Sequence, residues 1–338
     1  MSSLTETTAG LVPRARPGLS RAAGRHGWTV GVIGLFLVLF ALDAMTVATF
    51  DGFAVQTIFS GSTYYALVAM AQAVIVISGG IDLSIGAVMV LANIVSAKAM
   101  EGHGFGACVG IGLVVIAGTA ALQWCIGWII TASKVPDIVV TLAASFVVTG
   151  VGLLLLPTPG GGTSSGFQKI VNGNDSGDQW WPSVLFLAAM YALVWLPIRR
   201  RRLGLSFYAV GSSKNAAFLS GIDVAKARRR AYLIAGVLVG IGGVAITANV
   251  GAADARETLG GLYTLSSVGA VVLGGVALTG GVGGLIGPLF AAFCTQLIQT
   301  ILINKGVDQN WADVLRNVLI IVVVAFGGLL QSRRKRPT

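Results

Sequence analysis

The residues best suited to do chemistry in this chain lie at 78–86, SGGIDLSIG, inside a long apolar stretch. Asp82 is the outlier there. A carboxylate at membrane depth is costly unless it faces water or a partner, so it marks a candidate site. Gly79 and Gly80 let the backbone leave helical geometry. The N–H groups of Ile81 to Ser84 are then free to open the next helix, with Asp82 or Ser84 as cap. The turn carries no Lys or Arg, so two readings stand side by side: a cap at the membrane face, or a group in a transport site. A second segment, TGGVGGLIG at 279–287, repeats the pattern, pairing Gly79 with Gly280, Gly80 with Gly281, Ile85 with Ile286 and Gly86 with Gly287. Paired glycine-interrupted spans point to two corresponding halves with a site between them. On that reading 56–100 superposes on 264–303.

The other informative stretch is 199–230, which opens with Arg199 to Arg202 and continues LGLSFYAVGSSKNAAFLSGIDVAKARRR. Ser212 to Ser220 reads as one short helix. Ser212 or Ser213 caps its start by accepting a free backbone N–H, and Gly221 suits the left-handed position that ends a helix. Ala216, Ala217, Phe218 and Leu219 give it an apolar face. A basic loop lying on anionic headgroups is one reading; a peg that docks into another protein is the other.

Much chemistry is missing. Gly-Lys never occurs, so the chain has no phosphate-binding P-loop of its own. His26 and His103 are far apart, which excludes a His-rich metal site, and no metal or cofactor is expected in the chain. Cys108, Cys125 and Cys294 are isolated in apolar stretches and read as small core residues. Ionisable groups within the apolar runs are few: Asp43, Asp82, and Asp313 with Arg316. The last two are spaced to pair on one helical face, as an ion pair at the membrane interface.

The elements that must position these groups follow from composition. Of 338 residues, 55% are AVILMFWYC and only 11% are charged, against about 25% charged in a soluble domain. The mean hydropathy is +0.83. A chain of this size cannot hide so much apolar surface from water, and three cysteines exclude a disulfide scaffold. An all-α polytopic membrane protein remains. Apolar runs predict ten spans, near 29–49, 56–77, 83–100, 105–131, 136–157, 181–198, 231–250, 264–280, 284–303 and 312–331. With both termini inside, eighteen of the 23 basic residues fall on the inner side. The net charge of +10 therefore reflects topology, and nucleic acid is not an expected partner. Residues 1–28 and 332–338 are basic inner tails, 29–331 is the membrane domain, and 158–180 is a polar outer loop.

With these motifs in view, the chain resembles the permease subunit of bacterial ABC sugar importers of the ribose type. The resemblance rests on GGIDLSIGAVM at 79–89, VPDIVVTLAASFVVTG at 135–150, RRLGLSFYAVGSSKNAAFLSGIDVAKAR at 201–228 and AVVLGGVALTGGVGGLIGPLFAAF at 270–293. It implies a second permease copy in the membrane, as homodimer or heterodimer. It also implies an ABC ATPase subunit that binds ATP and Mg and drives alternating access, and a periplasmic or lipid-anchored sugar-binding protein at the outer loops 158–180 and 251–263. By this resemblance Ser212, Ser213, Lys214, Asn215, Ala216, Ala217, Phe218, Leu219, Ser220 and Gly221 form the coupling helix. Candidates for the substrate pathway are Gln72, Asp82, Ser84, Asn93, Thr141 and Ser145. The chain departs from the family pattern at Ser212-Ser213, where Gly-Asn is usual, at Phe218 in place of Arg, and at Val282 in place of a basic residue. A branched-chain amino-acid or autoinducer permease, and a self-powered carrier, are the competing readings.

Overall fold

The computed structural model describes residues 19–47, 50–173, 179–255 and 261–334, and among these it is built of helices. In chain order they are α1 (Leu19–Thr46), α2 (Gly52–Ile77), α3 (Ile85–Met100), α4 (Phe105–Ser133), α5 (Asp137–Leu155), α6 (Ser165–Asn172) and α7 (Trp181–Met190). A π-turn (Tyr191–Trp195), α8 (Leu196–Arg200), α9 (Arg202–Ser212), α10 (Lys214–Leu219) and α11 (Val224–Val250) follow, then α12 (Leu262–Leu273), α13 (Ile286–Asn304) and α14 (Gln309–Arg334).

Each of the ten expected spans coincides with a helix, but they are not alike. Seven are long and apolar enough to cross a membrane. Helices α3 and α12 have 16 and 12 residues. At 1.5 Å per residue they reach about 24 and 18 Å, short of the roughly 30 Å hydrocarbon core. The expected span at 264–280 therefore stops early. Gly275 takes φ +80° and turns the chain at the end of α12. The expected inner tail 1–28 is also helical from Leu19 onward, and α14 runs on to Arg334; residues 1–18 and 335–338 lie outside the described residues.

Helices α2 and α11 form the centre, with α11 packed on α2, α3 and α4. Ala66 to Ile77 of α2 are wholly buried. Small residues allow this approach: a Cβ on Gly236 would stand 2.7 Å from the Thr119 carbonyl, and one on Gly240 2.9 Å from the Ile116 Cα. By contrast α1, α5 and α7 present most of their apolar surface outward. The π-turn has a local cause. Pro197 offers no N–H to Leu193, and the Leu196 N–H reaches back to the Tyr191 carbonyl instead. The loop 158–180 contains α6, and its Gly160 pairs both ways with Ala253 of the loop 251–263, so the two loops expected on the outer side are tied together.

Candidate functional site

The turn at 78–84 ends α2 in a left-handed glycine. Gly79 has φ +80°, its N–H bonds the Val76 carbonyl at 2.9 Å, and the Gly80 N–H bonds that of Ile75 at 3.1 Å. Asp82 is wholly buried, and its Oδ1 accepts from the Ser84 N–H at 2.7 Å and the Ser84 hydroxyl at 2.6 Å. The Leu83 N–H donates to Thr141 Oγ1 at 3.1 Å, and that hydroxyl donates to the Asp137 carbonyl at 2.9 Å. Asp82, Ser84 and Thr141 are thus brought together, and each binds the turn itself. Ser84 is the N-cap residue of α3, but its side chain makes no capping bond.

Behind the turn lies a charged pair whose members are far apart in the sequence. Arg228 of α11 donates to, and pairs with, the Asp137 carboxylate of α5, with both side chains largely buried. Gly80 makes room for this pair: a Cβ there would lie 2.9 Å from Asp137 Oδ2 and 3.5 Å from the Tyr232 hydroxyl. Gln123 of α4 stands beside Asp82, outside hydrogen-bonding geometry. Asp82 Oδ2, both amide atoms of Gln123 and the Tyr232 hydroxyl are buried without hydrogen-bond partners. In sequence Arg228 is one of the basic charges of 199–230, and the one signal for its partner is the first-turn acid after Pro136.

The remaining pathway candidates lie elsewhere. Gln72 is wholly buried on α2 with both amide atoms unpartnered. Asn93 donates to Thr247 Oγ1 at 2.9 Å and to the Ala252 carbonyl, joining α3 to α11. Ser145 is half-buried and turns its hydroxyl back to the Leu142 carbonyl at 2.8 Å.

The second glycine segment corresponds to the first, with a shifted register. Ile286 and Gly287 open α13 as Ile85 and Gly86 open α3, and their preceding residues, Leu285 and Ser84, share one backbone conformation. At the other end the matching bonds are Gly275 N–H to Val272 and Val276 N–H to Val271. Gly275, not Gly280, therefore does what Gly79 does, and the second turn is five residues longer. Gly280 and Gly281, at φ +85° and +73°, belong to that insertion. Trp28 of α1 closes the end of α12 by donating to the Leu273 carbonyl at 2.7 Å.

The expected short helix begins two residues later than its sequence start. Ser212 ends α9, and α10 runs Lys214–Leu219 with Ser213 as cap, its Oγ accepting from the Ala216 N–H at 3.3 Å. Gly221 takes φ +79° as the C-terminal turn requires. Ala217 is buried, whereas Phe218 and Leu219 are 71% and 84% exposed. They stand on the same end of the bundle as Arg199–Arg202. The pair Asp313–Arg316 forms as its spacing predicts, and it is more enclosed than the spacing alone shows. Arg316 is only 1% exposed, pairs with Asp313 at 3.4 Å, donates to Gln299 and stacks over Tyr65. It is packed within the protein, where Tyr65 and Gln299 replace water around the guanidinium. Cys108 and Cys294 are buried, but Cys125 is exposed on the outer face of α4.

A body of apolar helices broken at two glycine turns, with an uncovered apolar helix on its basic end, has relatives. The sequence model of the branched-chain amino acid transport system / permease component family matches residues 54–324. The chain belongs to that family. It is a multi-pass permease component. It is 28% identical over 299 residues to a ribose import permease of Bacillus subtilis (strain 168), covering 86% of this chain and 90% of that protein. It is also 28% identical to a galactose/methyl galactoside import permease of Escherichia coli (strain K12), covering 90% and 95%. To an inner membrane ABC transporter permease protein of the same organism it is 29% identical, covering 87% and 89%. No solved structure matches the chain.

Proposed function

We propose that this chain is the transmembrane subunit of an ATP-driven importer that carries a sugar or polyol across the inner membrane, with both termini inside. The observation that carries the reading is α10: two large apolar side chains, Phe218 and Leu219, left uncovered on a capped helix at the basic end. Burying each on a partner is worth about 1.5–3 kcal/mol, and a self-powered carrier has no use for such a peg. The partner is a separate ATPase, which binds ATP and its magnesium. A second permease copy completes the pathway, and a sugar-binding protein docks on the tied outer loops. Sugar is favoured over a zwitterionic amino acid because two of its relatives are named for ribose and galactose import. The pathway also needs no fixed charge for a neutral polyhydroxy compound.

Five of the six polar candidates are sealed in the state described, so contact with sugar at Gln72, Asp82, Ser84, Asn93 or Thr141 requires the body to open. Pull-down of the tagged chain from its native cells tests the assembly. An ATPase copurifies with the native chain and is lost from Phe218→Ser with Leu219→Ser. Sugar uptake by the purified chain alone, without ATP, overturns the reading in favour of a carrier.

A further inference from the structure

Three glycines from distant parts of the chain meet at the basic end of the bundle. Gly79 ends α2, Gly280 lies in the turn between α12 and α13, and Gly211 is the penultimate residue of α9, three residues before the start of α10. A Cβ on Gly79 would stand 3.3 Å from the Gly211 Cα. One on Gly280 would stand 2.9 Å from the Gly79 Cα and 2.8 Å from the Gly211 carbonyl. The two turns are also bonded to each other, the Gly281 N–H donating to the Ile77 carbonyl at 3.0 Å. Gly211 faces that bond: its Cβ would overlap the Ile77 carbonyl and lie 2.5 Å from the Gly281 nitrogen. Tyr208, one turn earlier on α9, donates to the Gly283 carbonyl at 2.8 Å.

We propose that Gly211 is a transmission joint through which displacement of α10 reaches both glycine turns at once. The inference rests on the importer reading above. Gly211 is helical and needs no left-handed backbone, so its lack of a side chain serves only the close approach. Within a helix Ala is otherwise about 1 kcal/mol better than Gly. Bare backbone contact on both sides leaves no soft side chain to absorb a small movement. A push on α10 therefore passes to the end of α2 and the Asp82 turn on one side, and to α12 and α13 on the other. Such a joint converts a movement of one peripheral helix into a concerted change in the two broken spans that flank the buried polar groups.

The test uses the complex of permease, ATPase and binding protein in proteoliposomes, reading sugar taken up per ATP hydrolysed. Wherever the Gly211→Ala complex assembles, it is expected to hydrolyse ATP while uptake per ATP falls about ten-fold. Tyr208→Phe leaves Gly211 in place but cuts the hydrogen bond by which α9 holds the second turn, and so half of the joint; it is expected to lower the same ratio about five-fold, and it decides the matter if Gly211→Ala does not assemble. Unchanged uptake per ATP in an assembled Gly211→Ala, or in Tyr208→Phe where Gly211→Ala fails to assemble, overturns the joint while leaving the importer reading intact. A native complex that transports without ATP overturns both.

Discussion

Arg228 and Asp137 are tied to each other behind the glycine turn, and Gly80 leaves the space they occupy. Removing one member strands the other charge in a largely dry setting, at a cost of about 3–5 kcal/mol. Arg228→Ala is therefore expected to lower the melting temperature in detergent sharply, and Arg228→Met with Asp137→Leu to recover most of it. A single variant as stable as the native chain would show that water reaches the pair. Gly86 makes a comparable demand for space. Its N–H donates to Thr264 Oγ1 at 3.1 Å, and a Cβ would stand 2.5 Å from that oxygen and 2.7 Å from the Thr264 nitrogen. Gly86→Ala forces α3 off the start of α12, an overpacking cost of about 1–3 kcal/mol, read as loss of monodisperse protein on size exclusion. Gly86→Ala eluting as the native chain would refute the contact.

At the scale of elements, α10 is stabilised mainly by its ends. Six residues are too few to hold a helix by propensity, so the Ser213 cap and the left-handed Gly221 carry it. Ser213→Ala is expected to cost about 1 kcal/mol of local stability, seen as faster amide exchange at Ala216 with the spans unaffected. Exchange rising equally across α11 would mean that the two helices unfold as one unit. The broken spans follow from the same end chemistry. Where Gly79 or Gly275 supplies a left-handed turn, the carbonyls of the preceding helix are satisfied and the chain can leave the helix without orphaned groups.

For the whole molecule, the basic residues predict which face meets the inner solution. In a background with Cys108, Cys125 and Cys294 replaced by Ala, Ser213→Cys is expected to react with a membrane-impermeant maleimide only in inverted vesicles. Ser165→Cys, exposed on α6, is expected to react only in right-side-out ones. The reverse pattern would invert the proposed topology and place α10 out of reach of an inner-face ATPase. Asn93 ties α3 to α11 through Thr247, so Asn93→Ala is expected to speed amide exchange around Thr247 more than in the 78–84 turn.

The class of protein, the ten helical segments, the two glycine breaks and the capped helix near 212–221 were all legible in the sequence. They depend on local composition and on the conformations that Gly, Ser and Pro favour or forbid. Tertiary structure decided what local rules do not reach. Asp137 found Arg228 ninety-one residues away, and Gly275 rather than Gly280 took the capping role because hydrogen bonding, not motif alignment, sets where a helix ends. Arg316 pairs with Asp313 as their spacing predicts, but its enclosure by Gln299 and Tyr65 depends on helices distant in sequence. Gly211 reads in sequence as one glycine among 47. Only the packing of α9 against two distant turns gives it a reason, since steric exclusion is a property of the neighbours a residue meets and not of the residue itself.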